Sequence, residues 1–212
     1  MTDAANVPAT ENVPTRDRLL QAALVSFAER GFLGTTTRDI ASAAGMSPAA
    51  VYVHYRSKED LLFELSHGGH MDTIAEIDSA DDAAQPPAVR LAAVMRAFSE
   101  RHAMRHTSSR IVNYELHSLA PDHFTEISKL RRTITGRMRA IVDAGIETGD
   151  FDVADPQTTT NLLLSMGVDI ARWYSDDGPL SPTELGDFYA KTALRVVGAV
   201  PPSPPNRPTP EN

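Results

Sequence analysis

The chain has 212 residues, a formal net charge of −8, 42% hydrophobic residues and no cysteine. That length suits one small domain plus one larger one with a real core, and the missing cysteines exclude a disulfide framework and any Cys-based zinc or redox centre. No apolar run approaches the ~18 residues of a membrane span, and residues 1–14 lack the basic-then-apolar order of a signal peptide, so a cytoplasmic protein with no membrane partner is expected.

In chain order, residues 1–14 read as a disordered arm. Thr15 is placed to cap a first helix over Arg16 to Arg30, with Leu20, Ala23, Leu24 and Phe27 as its apolar stripe. Thr36 or Thr37 caps a second, in which Ile40, Ala41 and Ala44 share one face. Gly45 stands where a helix end favours a left-handed residue, and Ser47-Pro48 supplies a cap followed by proline in the first turn of a third helix. Val51 and Tyr55, four apart, face inward, while Ala49, Ala50, Tyr52 and His54 look outward or sideways. Two short helices around a tight turn, the second with a smooth outer face, form a helix-turn-helix suited to the DNA major groove.

Ser57 caps a fourth helix, with Glu59 and Asp60 in its first turn, where the helix dipole favours them. It runs toward Ile77 with a possible bend at Gly68-Gly69, and an acidic loop follows to Gln85. Pro86-Pro87 opens helix 5. Helix 6 is placed at Ser108 to Leu119, helix 7 at Asp122 to Thr148, helix 8 at Asp155 to Tyr174 and helix 9 from Ser181 to Val200. Residues 201–212 read as a disordered proline-rich tail. No segment reads as a strand, so the fold class is all-α with about nine helices: a helix-turn-helix domain at 15–62 and a helical ligand-binding and dimerisation domain at 63–200.

The order and spacing of Ala22-Ala23-Leu24-Val25-Ser26-Phe27-Ala28-Glu29-Arg30-Gly31-Phe32, Thr36-Thr37-Arg38-Asp39-Ile40-Ala41, Ala44-Gly45-Met46-Ser47, Val51-Tyr52-Val53-His54-Tyr55 and Ser57-Lys58-Glu59-Asp60-Leu61-Leu62 resemble the tetracycline-repressor (TetR) family of bacterial transcription regulators. The resemblance implies a homodimer that binds double-stranded operator DNA and is released by a small molecule. It implies DNA contacts for Thr37, Arg38, Tyr52, His54 and the phosphate-gripping Lys58, with Ser47, Pro48 and Ala49 on the same face. Ser47 to Ala50 are shorter than the polar side chains of other members, which limits direct base readout. The acidic balance, present in the first 65 residues too, makes few phosphate contacts and strong salt sensitivity the expectation.

Within residues 171–190, Ala171 to Leu185 and Tyr189-Ala190 are similar to members that control fatty-acid or steroid breakdown and sense acyl-CoA thioesters. Met95, Phe98, Met138 and Met166 are candidates for an adaptable apolar pocket, with Arg110, Tyr114, Asp169 and Trp173 as its polar and aromatic complement. Helix 8, apolar on more than one side, and helix 9 need cover from a second chain, with Leu163, Phe188 and Val196 at the interface. A metal reading of His102 and His106, with His117, Glu115 and Asp122 nearby, rests on their spacing alone, and no metal or cofactor is expected. No phosphate-cradling glycine loop or nucleophile motif supports an enzyme. The alternatives are a drug-sensing repressor of an efflux pump and a helical binding protein or enzyme whose helix-turn-helix is only structural.

Overall fold

A computed structural model describes residues 14–199; the expected arm, except Pro14, and the expected tail lie outside them. The chain divides into two compact units, Met1–Leu65 and Ser66–Asn212. Among the described residues there are nine α-helices, one short 3-10 turn and no strand. No helix there is long and apolar enough to cross a membrane.

The first unit holds α1 (Thr15–Gly34), α2 (Thr37–Ala43), α3 (Pro48–His54) and the start of α4 (Lys58–Ala80). The helix α1 begins after Pro14 with no side-chain cap, so Thr15 is its first residue rather than its cap. Its buried stripe is Leu19, Ala22, Ala23, Ser26 and Phe27, one position off the expected Leu20 and Leu24, which are only half-buried. Near its end Gly31 adopts φ 71°, a left-handed conformation that glycine enters without a Cβ penalty. The break folds Phe32 back to 5.3 Å from Phe27, ring to ring. The buried Thr35 donates its hydroxyl to the carbonyls of Ser26 and Gly31 at 2.9 and 2.8 Å, which satisfies oxygens that the break exposes.

The second unit contains the rest of α4 with α5 (Pro87–Met104), α6 (His106–Tyr114), the 3-10 turn Leu116–Ser118, α7 (Pro121–Glu147), α8 (Pro156–Trp173) and α9 (Pro182–Val196). Helix α5 packs along α9 and against α6, α7 and α8. Leu91, Val94, Met95 and Phe98 of α5 meet Ile77, Ile134, Met138, Ile141 and Leu163 in one core. Full burial of each such side chain contributes roughly 1.5–3 kcal/mol. On α8, Gly167 leaves the space that the Phe98 ring fills; a Cβ there would overlap the ring.

Two local expectations are corrected. Helix α4 continues through Gly68-Gly69 without interruption. Gly69 instead allows Val112 of α6 to approach, since a Cβ would stand 3.2 Å from Val112 Cγ2. Helix α6 stops at Tyr114 rather than Leu119, and the tighter 3-10 turn brings Leu119 into the interior. Ala120, forced toward extended backbone by Pro121, has ψ 151° and sets the start of α7.

Candidate DNA-reading face and ligand region

Local hydrogen bonds build the helix-turn-helix. Thr36 caps α2 by accepting from Asp39 N, while the Asp39 carboxylate accepts from Thr36 N at 2.8 Å and Thr36 Oγ1 at 2.6 Å, a reciprocal capping box. The hydrogen bonds from Thr36, aided by Arg30 at 3.1 Å, hold the Asp39 carboxyl below its ordinary value. Gly45 makes the turn at φ 66°. Ser47 caps α3 through Ala50 N, with Pro48 in the first turn. Val51 and Tyr55 are buried, and the Arg16 guanidinium lies 5.1 Å from the Tyr55 ring centre. Arg18 donates to Ala44 O at 2.8 Å and so closes the end of α2.

The opposite side of this pair is open. Arg38, Ser47, Pro48, Ala49, Tyr52 and His54 are exposed, and Thr37 is half-buried at the start of α2. Tyr52, 56% exposed, shares a 3.1 Å hydroxyl–hydroxyl hydrogen bond with Thr37, which fixes the two helices' outward groups against each other. Val53, 78% exposed, stands between Tyr52 and His54 and was missed in the sequence, where valine signals core. It offers apolar surface of the kind that meets a thymine methyl.

Lys58 also holds the fold together. Its ammonium donates to Phe32 O at 2.7 Å and Thr35 O at 2.8 Å and lies 4.3 Å from the Phe32 ring centre. Two of its three N–H groups thus tie the broken end of α1 to the start of α4, leaving one for a phosphate.

In the second unit the expected ligand residues separate into two groups. Met95, Phe98 and Met138 are fully buried parts of the core. Tyr114, Met166, Asp169 and Trp173 lie on α6 and α8 near the surface: Tyr114 donates to Asp169 at 3.3 Å, and Met166 and Asp169 line a cavity of about 210 Å³ with Phe188, Tyr189 and Thr192 of α9. Trp173 is exposed with its edge toward Tyr174, and Arg110 is exposed on α6.

The interface expectation needs one correction. Leu163 has 0% exposure and belongs to the protomer's own core, whereas the neighbouring Leu162 is exposed. The helical period puts adjacent residues about 100° apart, so a one-residue error exchanges core for surface. Phe188 is 57% exposed, and Val196 is half-buried against the core.

The histidine spacing does not form one group. A non-helical Arg105 separates α5 from α6, so His102 and His106 sit on different helices. Each donates from Nδ1 to a carbonyl, of Phe98 at 2.7 Å and Ala103 at 3.1 Å.

Residues 19–65 match the model for bacterial regulatory proteins of the tetR family, and residues 84–197 match that for the tetracyclin repressor-like C-terminal domain. The chain belongs to the TetR family. The repressor KstR2 of Mycobacterium tuberculosis is 31% identical over 186 residues, spanning 84% of this chain and 90% of that one. Among solved structures, a tetR-family regulatory protein from Rhodococcus RHA1 superposes with a TM-score of 0.86 at 36% identity, over 90% of this chain and all of that one. The structure of the ketosteroid transcriptional regulator KstR2 of Mycobacterium tuberculosis superposes with a TM-score of 0.78 at 29% identity, over 90% of this chain and 97% of that one. AibR, solved with isovaleryl coenzyme A and operator DNA, shares the fold at 0.79 with 22% identity, over 88% and 100%. This TetR-family chain is a DNA-binding transcriptional regulator rather than an enzyme.

Proposed function

We propose that the chain is a homodimeric repressor of lipid-catabolic genes, fatty-acid or steroid, which an acyl-CoA thioester releases from its operator. The observation that carries the reading is similarity to the KstR2 repressors over 84% of this chain, reaching into both units, joined to the likeness of residues 171–190 to thioester sensors. Tyr52, Val53, Arg38 and Thr37 read the major groove, while His54 and the ends of α2 and α3 meet the backbone.

The exposed Leu162, Trp173 and Phe188 of α8 and α9 face a second copy, since helices apolar on two sides need cover on both. The acyl part enters the interior lined by Met95, Phe98 and Met138, whose flexible methionines adapt to it. Arginines such as Arg110 meet the phosphates of the nucleotide end. Ligand then shifts the population toward a form in which α4 no longer holds the groove-competent spacing. Such a protein works in the cytoplasm, on the chromosome.

The test uses an operator duplex recovered from genomic fragments, followed by fluorescence anisotropy while thioesters and their free acids are added. Release by thioesters alone is expected. Release by free acids or cationic drugs, with thioesters inert, would replace this reading with the efflux-pump repressor.

A further inference from the structure

The interior of the second unit holds polar groups that neither the fold nor the reading above uses. Ser66, His70, Thr73 and Ile77 recur at helical spacing on α4, and Met95, Phe98, Ser99 and His102 do so on α5. These faces confront each other: Ile77 shares a core with Met95 and Phe98, and Arg101 pairs with Asp72 at 3.0 Å and Glu76 at 3.4 Å. Below Ile77 the seam turns from apolar to polar. Ser66 and Ser99 have no exposed surface, and His70 and His102 are 4% exposed.

The hydroxyls of Ser66 and Ser99 have no hydrogen-bond partner, although each could have donated to a carbonyl of its own helix, as Thr73 does to Gly69 at 2.8 Å. Leaving a buried hydroxyl unpaired carries a desolvation penalty, which a hydrogen-bonding group brought in by a ligand would remove. Both imidazoles donate from Nδ1, to Ser66 O and Phe98 O at 2.7 Å each. A carbonyl only accepts, so Nδ1 carries the proton and Nε2 presents a lone pair.

We infer that the seam between α4 and α5 is a recognition site for a neutral hydroxyl group on an otherwise apolar ligand, read by Ser66, His70, Ser99 and His102. A hydroxyl donates to an imidazole Nε2 and accepts from a serine, so it uses both kinds of group at once. A ketone accepts only from the serines. Of the two arginines beside the seam, Arg101 is committed to Asp72 and Glu76, and Arg131, whose charge acts on His70, bonds Asn113 at 3.3 Å. The site is closed in the free protein, and the ligand enters by parting α4 from α5. This deepens the proposed function, on which it rests in one respect, that the hydroxyl lies on the acyl part of a thioester.

The test measures binding of ω-hydroxydecanoyl-CoA and decanoyl-CoA by calorimetry, beside two coenzyme-free probes, methyl ω-hydroxydecanoate and methyl decanoate. The wild-type protein should prefer the hydroxylated member of each pair by about tenfold or more, as expected where a site is built to pair a hydroxyl. In Ser66→Ala/Ser99→Ala that preference should collapse while Tm holds or rises, since the removed hydroxyls had no partner. The single variants should each lose part of it, and they carry the test should the double variant not fold. No preference in either pair, or a preference that survives while Tm falls, overturns the inference. Preference between the esters with no binding of either thioester supports the seam and ends the thioester reading alone.

Discussion

Acidification should unfold the second unit well above the ordinary carboxylate range. Burial pushes both His70 and His102 down to about 4 from 6.5, partly offset by the bonds to Ser66 O and Phe98 O. Charge nearby adds to this: Arg131 and His67 act on His70, Arg101 and His70 on His102. In the unfolded chain both imidazoles take up protons near 6.5, whereas the folded chain resists until about 4. The stability from keeping them neutral is complete above about pH 6.5 and drains away as pH falls toward 4. A difference of that size amounts to roughly 3 kcal/mol for each imidazole, a large share of a total stability of about 5–15 kcal/mol.

Glu76, raised by burial, has the opposite sign, taking its proton earlier when folded and offsetting part of the loss. Asp39, Asp155 and Glu184, all lowered chiefly by capping hydrogen bonds, add their loss only at still lower pH. Denaturant melts of the whole protein between pH 7.5 and 4.5 provide the assay, repeated for His102→Asn, which keeps a donor near Nδ1 but cannot titrate. The wild type should weaken steeply below about pH 6 and the variant less so. A flat profile from pH 7.5 to 4.5 would refute the placement of two neutral imidazoles in the core.

Lys58→Ala should lower stability by about 1.5–3 kcal/mol, because hydrogen bonds from a charged group to two carbonyls are lost; thermal melts without DNA detect this, and an unchanged Tm would return Lys58 to a phosphate-only role. Tyr52→Ala should weaken specific operator binding by about 1–3 kcal/mol, with far less effect on random duplex; equal losses on both would place Tyr52 off the bases. Phe188→Arg should leave a folded monomer in sedimentation, whereas Leu163→Arg should fail to fold, since it drives a charge into the protomer's core. A dimer that survives Phe188→Arg would move the interface elsewhere.

The helix-turn-helix geometry was legible because its signals are local. Thr36, Gly45, Ser47 and Pro48 each act within a few residues of themselves, through a cap, a left-handed turn and a proline in the first turn, so spacing alone locates them. The tie made by Lys58 was not, because its partners Phe32 O and Thr35 O lie 26 and 23 residues away and depend on a helix break at Gly31. The shift from Leu20 to Leu19 in the core of α1, and from Leu163 to Leu162 on the outer face of α8, has another origin: both neighbours are leucine, and composition cannot say which one faces inward. The seam of Ser66, His70, Ser99 and His102 was hidden by their polarity. Polar residues at an apolar spacing read as a solvated face until α4 and α5 are set against each other. Their recurrence at the positions of Ile77, Met95 and Phe98 was the signal available.

The central claim, a repressor released by a thioester, implies that ligand and operator oppose each other reciprocally. The most direct measurement is calorimetric titration of an acyl-CoA into the dimer, with and without saturating operator duplex. The account predicts that operator weakens thioester binding by the same factor by which the thioester weakens operator binding, corresponding to about 1–3 kcal/mol. Equal thioester affinity with and without operator would contradict it, since a ligand that does not distinguish the two states shifts neither.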